Sequence, residues 1–194
     1  TIPHSIDELP EKTPFERRNP KKLVALCRLA PEKQVVDMVM MMGELLKTHP
    51  ETELCIYGDG SEKNKIIDKI KELDIGSNVH LMGYNENIAD AYADAAFSLL
   101  TSKCEGFSLA ILESLSFGVP AASYNIPYGP STMIQHGQNG VLVDHADYKA
   151  MAHELSQILS QPNRLKQMSE NAYASIERFK EENVAELWRE LIAS

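Results

Sequence analysis

Short apolar runs alternate with helical patterns along most of this chain, and no other feature of the sequence limits the fold as strongly. Predicted strands and helices follow one another in turn from about residue 21 to residue 148, beyond which the pattern is helical. Such alternation is typical of βαβ units, whose right-handed crossovers produce a mainly parallel sheet. We therefore expect an α/β fold with a Rossmann-like parallel sheet and helices on both faces.

The expected elements follow from the period and the boundaries of each apolar run. The predicted strands cover residues 23–27, 53–57, 79–82, 96–100, 121–124 and 140–143. The predicted helices cover residues 35–47, 62–73, 88–94, a segment starting near residue 108, and the chain from residue 148 onward. Ligands of such sheets bind beyond the carboxyl ends of the strands, so residues that follow a strand are the first candidates for a site.

Composition is consistent with one domain preceded by a short segment. Residues 1–20 are rich in proline and charge and are predicted to be an interdomain linker or lead-in, and residues 21–194 form one domain. A hydrophobic content of 43% allows one sizeable core, and no run of about 18 apolar residues predicts a membrane span.

Net charge and cysteine content limit the classes of partner, the cellular location and the cofactors that we expect. A net charge of -9 argues against nucleic acid as a partner. The three cysteines lack metal-ligand spacing and fit a reducing cytoplasm, which is the expected location. No Asp-x-Asp occurs in the sequence, so neither a metal ion nor another cofactor is expected at the site.

Two acids, Glu105 and Glu113, belong to the most informative segment of the chain. Glu105 lies in a glycine-containing loop, and Glu113 lies about one and a half turns into the helix that follows. That helix is expected to begin near Ser108, a good N-cap residue, and to end at Gly118, just before Pro120. Unpaired N–H groups at its N-terminus would face a phosphate or a hydroxyl, and both acids would face the same ligand.

With Gly-Phe-Ser after the first acid and Ser-Leu-Ser-Phe-Gly-Val-Pro after the second, the segment resembles the acidic motif of retaining, nucleotide-sugar-dependent glycosyltransferases of group 1. The resemblance covers essentially the whole chain. It implies one half of a GT-B fold, the donor-binding domain, with the N-terminal acceptor domain absent and any membrane contact made only through that domain. It also implies that Glu105 holds sugar hydroxyls and Glu113 holds ribose hydroxyls. The donor contacts implied between these acids are Gly106, Phe107, Ser108 and Leu109.

Arg28 and Lys33 follow the first predicted strand, and the resemblance assigns both to the donor diphosphate. The leaving nucleotide gains negative charge as the glycosidic bond breaks, and without a metal cationic side chains must stabilise it. Considered apart from the resemblance, an arginine and a lysine in such a loop are ordinary surface charges. Cys27 departs from the family, which commonly has glycine there, and its larger side chain would crowd the phosphate.

Two glycine-containing turns are weaker candidates for the donor pocket. Gly58 and Gly60 follow the second strand, where the family's glycine loop lies close to the diphosphate, although a tight turn explains them equally well. Gly83 and Tyr84 follow the third strand, where the family reads the nucleotide base with backbone groups and packs a side chain on it.

Three further segments, 101–108, 128–131 and 183–188, resemble bacterial enzymes that glucosylate poly(glycerol-phosphate) teichoic acid and relatives that glycosylate serine-rich adhesins. The expected function is transfer of a hexose from a UDP-sugar to a hydroxyl acceptor, namely a teichoic-acid polyol, a protein Ser/Thr or a glycan. A non-catalytic partner subunit of the same fold and a nucleotide-sugar epimerase half-domain are the alternatives. The intact acid pair argues against the first alternative, and Phe107-Ser108 argues mildly against the second. No Gly-x-Gly-x-x-Gly follows the first strand, which disfavours a nicotinamide dehydrogenase.

Overall fold

The computed structural model of the chain describes residues 3–6, 10 and 13–193. The strands are β1 Lys22–Leu26, β2 Glu53–Tyr57, β3 Val79–Gly83, β4 Phe97–Leu100, β5 Ala121–Asn125 and β6 Gly140–Asp144. The helices are α1 Val35–Leu45, α2 Lys63–Glu72, α3 Ile88–Tyr92, α4 Leu109–Ser116, α5 Pro130–Met133, α6 Tyr148–Leu159, α7 Pro162–Ser175 and α8 Glu181–Ala193.

All six strands pair in parallel, in the order β3-β2-β1-β4-β5-β6. The chain adds strands to one side of β1 as far as β3 and then crosses to the other side at β4. The order therefore reverses between β1 and β4, which is where open α/β sheets bind their ligands. The expected α/β fold with a Rossmann-like parallel sheet is confirmed.

Apolar side chains cover both faces of the sheet, as the alternation along β1 shows. Leu23 and Ala25 pack into a large core cluster that also contains α1, α2 and α6. Val24, which lies between them, packs instead with Tyr92 of α3 and with Val119. A parallel strand buried on both faces reads as a continuous apolar run, which explains why the sequence marks β1 so clearly.

The methionine-rich helix α1 packs into the core. Met38, Val39, Met42 and Leu45 are fully buried, and Leu46 packs against the same cluster at its edge. Methionine side chains adapt to irregular core spaces, so this stripe needs no ligand to explain it.

The predicted elements agree with the structure to within a few residues, apart from three local differences. The short helix α5 was not predicted, because four residues carry no helical period. The C-terminal helical region is divided at Pro162, which starts α7, and again at the 3-10 turn Ile176–Phe179. Among the described residues, no helix combines the length and the apolar character needed to cross a membrane.

The segment before β1 packs on the domain through Arg18. This side chain is buried, and it donates to the carbonyl oxygens of Ala95, at 3.0 Å, and of Phe117. Burial lowers the pKa of the Arg18 guanidinium to about 10. The 3-10 turn Phe15–Arg17 precedes it. The described part of the lead-in thus includes a buried cation that contacts the entry to β4 and the end of α4.

Candidate functional site

Four of the predicted site residues line one cavity at the carboxyl edge of the sheet. This edge cavity has a volume of about 300 Å³, and the loops after β1, β2 and β3 surround it together with α4. The predicted residues in its lining are Arg28, Gly58, Tyr84 and Glu113, and Cys27 lies beside them. Residues that are far apart in sequence therefore meet at one edge, as expected for motifs that follow parallel strands.

Lys33 and Glu105 form an ion pair next to the edge cavity. The Lys33 ammonium lies 2.6 Å from Glu105 Oε1, and the two side chains are only 18% and 10% exposed. Charge-assisted hydrogen bonds of this length are among the stronger polar contacts in proteins. The pair joins the loop after β1 to the loop after β4, across the point where the strand order reverses.

The thiol of Cys27 links the ion pair to the edge cavity. Burial raises the pKa of Cys27 to about 11, while the charge of Lys33 lowers it and that of Glu105 raises it. The side chain also lines the edge cavity, so it lies within the field of both partners of the pair. At neutral pH the thiol is protonated and acts as a small apolar group in the cavity wall.

Glu113 presents a carboxylate to the edge cavity from α4. Burial raises the pKa of Glu113, and the side chain forms no ion pair with any residue in the described ranges. Burial, followed by the negative charge of Glu113, raises the pKa of the Tyr92 hydroxyl, which donates to Ala110 O at 3.1 Å. A half-buried carboxylate without a cation is an acceptor whose bonding capacity is unused.

Arg28 lines the edge cavity, but its side chain is mainly in solvent. Its side chain is 77% exposed and forms an (i,i+4) pair with Glu32 at 3.0 Å. Exposed pairs of this kind contribute about 0–1 kcal/mol, so the guanidinium is able to leave Glu32 for an anionic ligand at little cost.

Gly58 and Gly60 allow the loop after β2 to touch the loop after β1. A Cβ on Gly58, which has φ of 140°, would lie 1.9 Å from Cys27 O, and one on Gly60 would lie 2.4 Å from Leu29 O. Asp59 O accepts from Leu29 N at 2.9 Å within the same contact. The close approach of the two backbones therefore explains why glycine occupies both positions. Gly60, unlike Gly58, does not line the edge cavity. Their assignment to the donor stays a prediction.

Tyr84 lines the edge cavity, whereas Gly83, which precedes it, does not. Gly83 has φ of 76°, which favours glycine, and a Cβ there would meet nothing within 4 Å. Tyr84 is 78% exposed although it lines the cavity, so one face of its ring is open to solvent.

The four residues predicted as donor contacts between the two acids, 106–109, do not line the edge cavity, and their side chains have different surroundings. The helix α4 starts at Leu109 with Ser108 at the N-cap position, as expected, although the Ser108 hydroxyl makes no capping hydrogen bond. Phe107 packs against the rings of His4 and Phe179, and Leu109 is half exposed. Nothing lies within 4 Å of a Cβ placed on Gly106.

Several residues of the site carried no motif. Asp59 and Tyr57 line the edge cavity, and their position at the end of β2 was the available signal. Thr101 follows β4 directly, and its hydroxyl lies 3.0 Å from the carbonyl oxygens of both Lys33 and Gln34. Threonine at a strand end has many roles, so the sequence alone did not single it out.

Comparison with known proteins identifies a family. The family model described as glycosyl transferases group 1 matches residues 6–175. The poly(glycerol-phosphate) alpha-glucosyltransferase of Bacillus subtilis is 28% identical over 187 residues, which cover 96% of this chain and 28% of that protein. The UDP-N-acetylglucosamine–peptide N-acetylglucosaminyltransferase GtfA subunit of Streptococcus pneumoniae is 32% identical over 200 residues, which cover 99% of this chain and 39% of that protein.

Solved structures of similar proteins superpose on nearly the whole chain. Pneumococcal GtfA, in complex with UDP and GlcNAc, has a TM-score of 0.86 at 31% identity, and the match covers 97% of this chain and 38% of that one. A mutant of S. aureus TarM, in complex with Fondaparinux, alpha-GlcNAc-glycerol and UDP, has a TM-score of 0.87 at 26% identity, with 99% and 38% covered. The chain thus spans well under half the length of the relatives that it matches.

Proposed function

Because the chain belongs to the group 1 glycosyltransferase family, we propose that it is the donor-binding half of an enzyme that moves a hexose from a UDP-sugar to a hydroxyl acceptor. The observation that carries the proposal is the meeting of Arg28, Lys33, Glu105 and Glu113 at the carboxyl ends of β1 and β4. A UDP-sugar has a diphosphate between a ribose and a hexose. Two cations could bind the diphosphate, and two carboxylates could accept hydrogen bonds from the hydroxyl groups on either side.

The nucleoside end of the donor fits the edge cavity. A volume of about 300 Å³ is close to the lower limit for small-ligand pockets, and it suits a base and a ribose while the diphosphate leads out of the cavity. Glu113 would accept hydrogen bonds from the two ribose hydroxyls, and the open face of Tyr84 would pack on the base.

The diphosphate end fits the two cations. Arg28 would leave Glu32 and Lys33 would share its ammonium between Glu105 and a phosphate oxygen, with no metal ion taking part. Both cations stabilise the charge that grows on the leaving phosphate, which is a need of the transition state more than of the bound donor.

Transfer would proceed with retention at the anomeric carbon. The bond from that carbon to the β-phosphate oxygen breaks while the acceptor oxygen bonds to the same face. The acceptor proton passes to the departing phosphate oxygen, so no protein base is required. Glu105 would position the sugar by its hydroxyls. UDP-glucose and UDP-N-acetylglucosamine are the leading donors, and teichoic-acid polyols, protein Ser/Thr and glycans are the proposed acceptors. The names of the two relatives, which give poly(glycerol-phosphate) and peptide as acceptors, support the first two classes.

Calorimetric titration tests the donor assignment. UDP, UDP-glucose, UDP-N-acetylglucosamine, GDP-mannose and ADP-glucose are titrated into the chain with EDTA present and again with magnesium or manganese. We expect the uridine compounds to bind in both series. Binding that EDTA abolishes and metal restores would contradict the metal-free account, and failure of every uridine compound would contradict the donor assignment.

Two alternatives make different predictions in the same experiment. A non-catalytic partner subunit that has lost its donor site would bind none of the nucleotides. An epimerase half-domain would bind UDP-N-acetylglucosamine, so it is separated by incubation of the complete protein with that sugar: epimerisation yields a second sugar-nucleotide, whereas transfer releases UDP only when an acceptor is present. The presence of both acids, with Glu113 in no ion pair among the described residues, argues against a partner subunit that has lost its donor site.

A further inference from the structure

Two loops meet beside the edge cavity, and three contacts join them. The β1 loop is residues 27–34 and the β4 loop is residues 101–108. Besides the ion pair of Lys33 with Glu105, the Lys103 N–H donates to Glu32 O at 2.9 Å. The third contact is the Thr101 hydroxyl, which lies 3.0 Å from both Lys33 O and Gln34 O.

The Thr101 contact lies where the β1 loop is conformationally constrained. Gln34 adopts the left-handed conformation, with φ of 47° and ψ of 43°, between the 3-10 turn Pro31–Lys33 and α1. This conformation is unfavourable for a residue with a Cβ, so the surrounding contacts must maintain it. Thr101 is fully buried and supplies such a contact through a single hydroxyl proton that two carbonyl oxygens share.

A change in the backbone conformation of Gln34 would alter the direction in which the Lys33 side chain leaves the backbone. The backbone of Lys33 precedes the left-handed residue directly, and Lys33 reaches Glu105 with little exposure. If the backbone around Gln34 relaxed, the long Lys33 side chain would leave from a different point and the ammonium would move relative to Glu105. The Thr101 hydroxyl thus acts on the Lys33 ammonium through the peptide group between Lys33 and Gln34, to whose carbonyl oxygen it donates.

We propose that Thr101 is a positioning residue that acts through Lys33. By holding the carbonyl groups of Lys33 and Gln34, it fixes the Lys33 ammonium beside Glu105 and at the diphosphate side of the site. The part that concerns the diphosphate rests on the proposed function. The part that concerns the ion pair does not, because it follows from contacts within the chain.

Titration of UDP into a set of variants tests the first part. Thr101→Val keeps the shape but removes the hydroxyl, and it should weaken UDP binding about 5- to 10-fold, the usual effect of one lost hydrogen bond to a binding group. Thr101→Ser restores the hydroxyl and should bind within about 2-fold of wild type. Thr48→Val removes a hydroxyl-to-carbonyl contact at the other end of α1 and is the matched control, with no change expected.

A double-mutant cycle separates positioning from general destabilisation. In a Lys33→Met background, Thr101→Val should cause no further loss of UDP affinity, because the residue through which it acts is gone. An equal loss with and without Lys33 would overturn the proposal, and so would a loss that Thr101→Ser does not rescue.

Urea unfolding tests the second part without any ligand. The coupling between Lys33→Met and Glu105→Gln, read as the non-additive shift of the unfolding midpoint, should fall to about half or less in a Thr101→Val background. An unchanged coupling would overturn the proposal. If wild-type chain binds no UDP while this coupling falls, the proposed function fails and the positioning of Lys33 by Thr101 stands.

Discussion

Lys33 and Glu105 form a largely buried ion pair with each other in the absence of a ligand, whereas neither Arg28 nor Glu113 has such a partner among the described residues. The first two form a 2.6 Å ion pair with little exposure on either side. The guanidinium of Arg28 is mainly in solvent and pairs only with its neighbour Glu32, and Glu113 has a pKa raised by burial. The same edge of the sheet thus holds one closed pair of charges and one open pair.

This difference indicates how a donor would be received. The nucleoside end would meet a carboxylate with unused acceptor capacity, so its hydrogen bonds would add directly to affinity. The diphosphate and the sugar would meet two groups that are already bound to each other, so their contacts would partly replace an existing one. Binding strength would come mainly from Glu113, and ordering of the reacting end mainly from the pair of Lys33 with Glu105.

Removal of Lys33 should have the largest effect, and it would break the closed pair. Lys33→Met leaves Glu105 with 10% exposure and no cation, and we expect it to lower the free energy of unfolding by about 2–4 kcal/mol. Urea unfolding measures this loss. The double variant Lys33→Met/Glu105→Gln is the control and should recover most of it, and a double variant as unstable as the single one would contradict the explanation.

Removal of Glu113 should have the next largest effect, on binding. Glu113→Ala should weaken UDP binding by about 1.5–3 kcal/mol, because charged hydrogen bonds to two ribose hydroxyls would be lost. Glu105→Ala should hardly change UDP affinity but should weaken discrimination among UDP-sugars. Calorimetry with UDP and two UDP-sugars measures both variants, and equal losses of UDP affinity would remove the distinction between the two acids.

The pH dependence should follow Glu113. Because burial raises its pKa, this carboxyl group takes up a proton at a higher pH than an ordinary glutamate does. Since the ionised form is the stronger acceptor for the ribose hydroxyls, UDP affinity of wild type should fall as the pH decreases toward the raised pKa. The affinity of Glu113→Gln should stay flat over the same interval, and parallel curves for the two proteins would contradict this.

Stability should change with pH in the opposite direction. A carboxyl group whose folded pKa is raised binds its proton more tightly in the folded state, so its ionisation opposes folding. Relative to Glu113→Gln, wild type should therefore lose stability as the pH rises from the unfolded pKa through the raised folded pKa. Urea unfolding at several pH values measures the difference.

Replacement of Arg28 should have the smallest effect. Arg28→Lys keeps the charge but loses the planar fork, and it should weaken UDP binding by about 1 kcal/mol or less. Because the pair with Glu32 is exposed, stability should stay within about 0.5 kcal/mol of wild type. A loss of UDP affinity as large as that of Glu113→Ala would contradict this ranking.

The sequence predicted the fold better than the contacts within the site. The strand at residues 53–57 was predicted with its observed bounds, since its apolar run ends at Gly58. The expectation that Arg28 and Glu113 lie at one edge also agrees with the structure. The pairing of Lys33 with Glu105 was not predicted, because side-chain contacts between residues 72 positions apart depend on how two loops pack. The hydrogen bonds of Thr101 to Lys33 O and Gln34 O were not predicted for the same reason.

The buried side chain of Arg18 has a mechanical consequence. Its guanidinium joins the segment before β1 to Ala95 O, just ahead of β4, and to Phe117 O, one residue beyond the helix that carries Glu113. A displacement of the chain ahead of Arg18 would therefore reach the C-terminal end of α4 through this side chain, as well as following the backbone into β1. The segment is a tether with several attachment points, which include the pair of Glu16 with Lys166 and the bond from Asn19 N to Asp94 O, and Arg18 is the one that reaches the helix carrying Glu113.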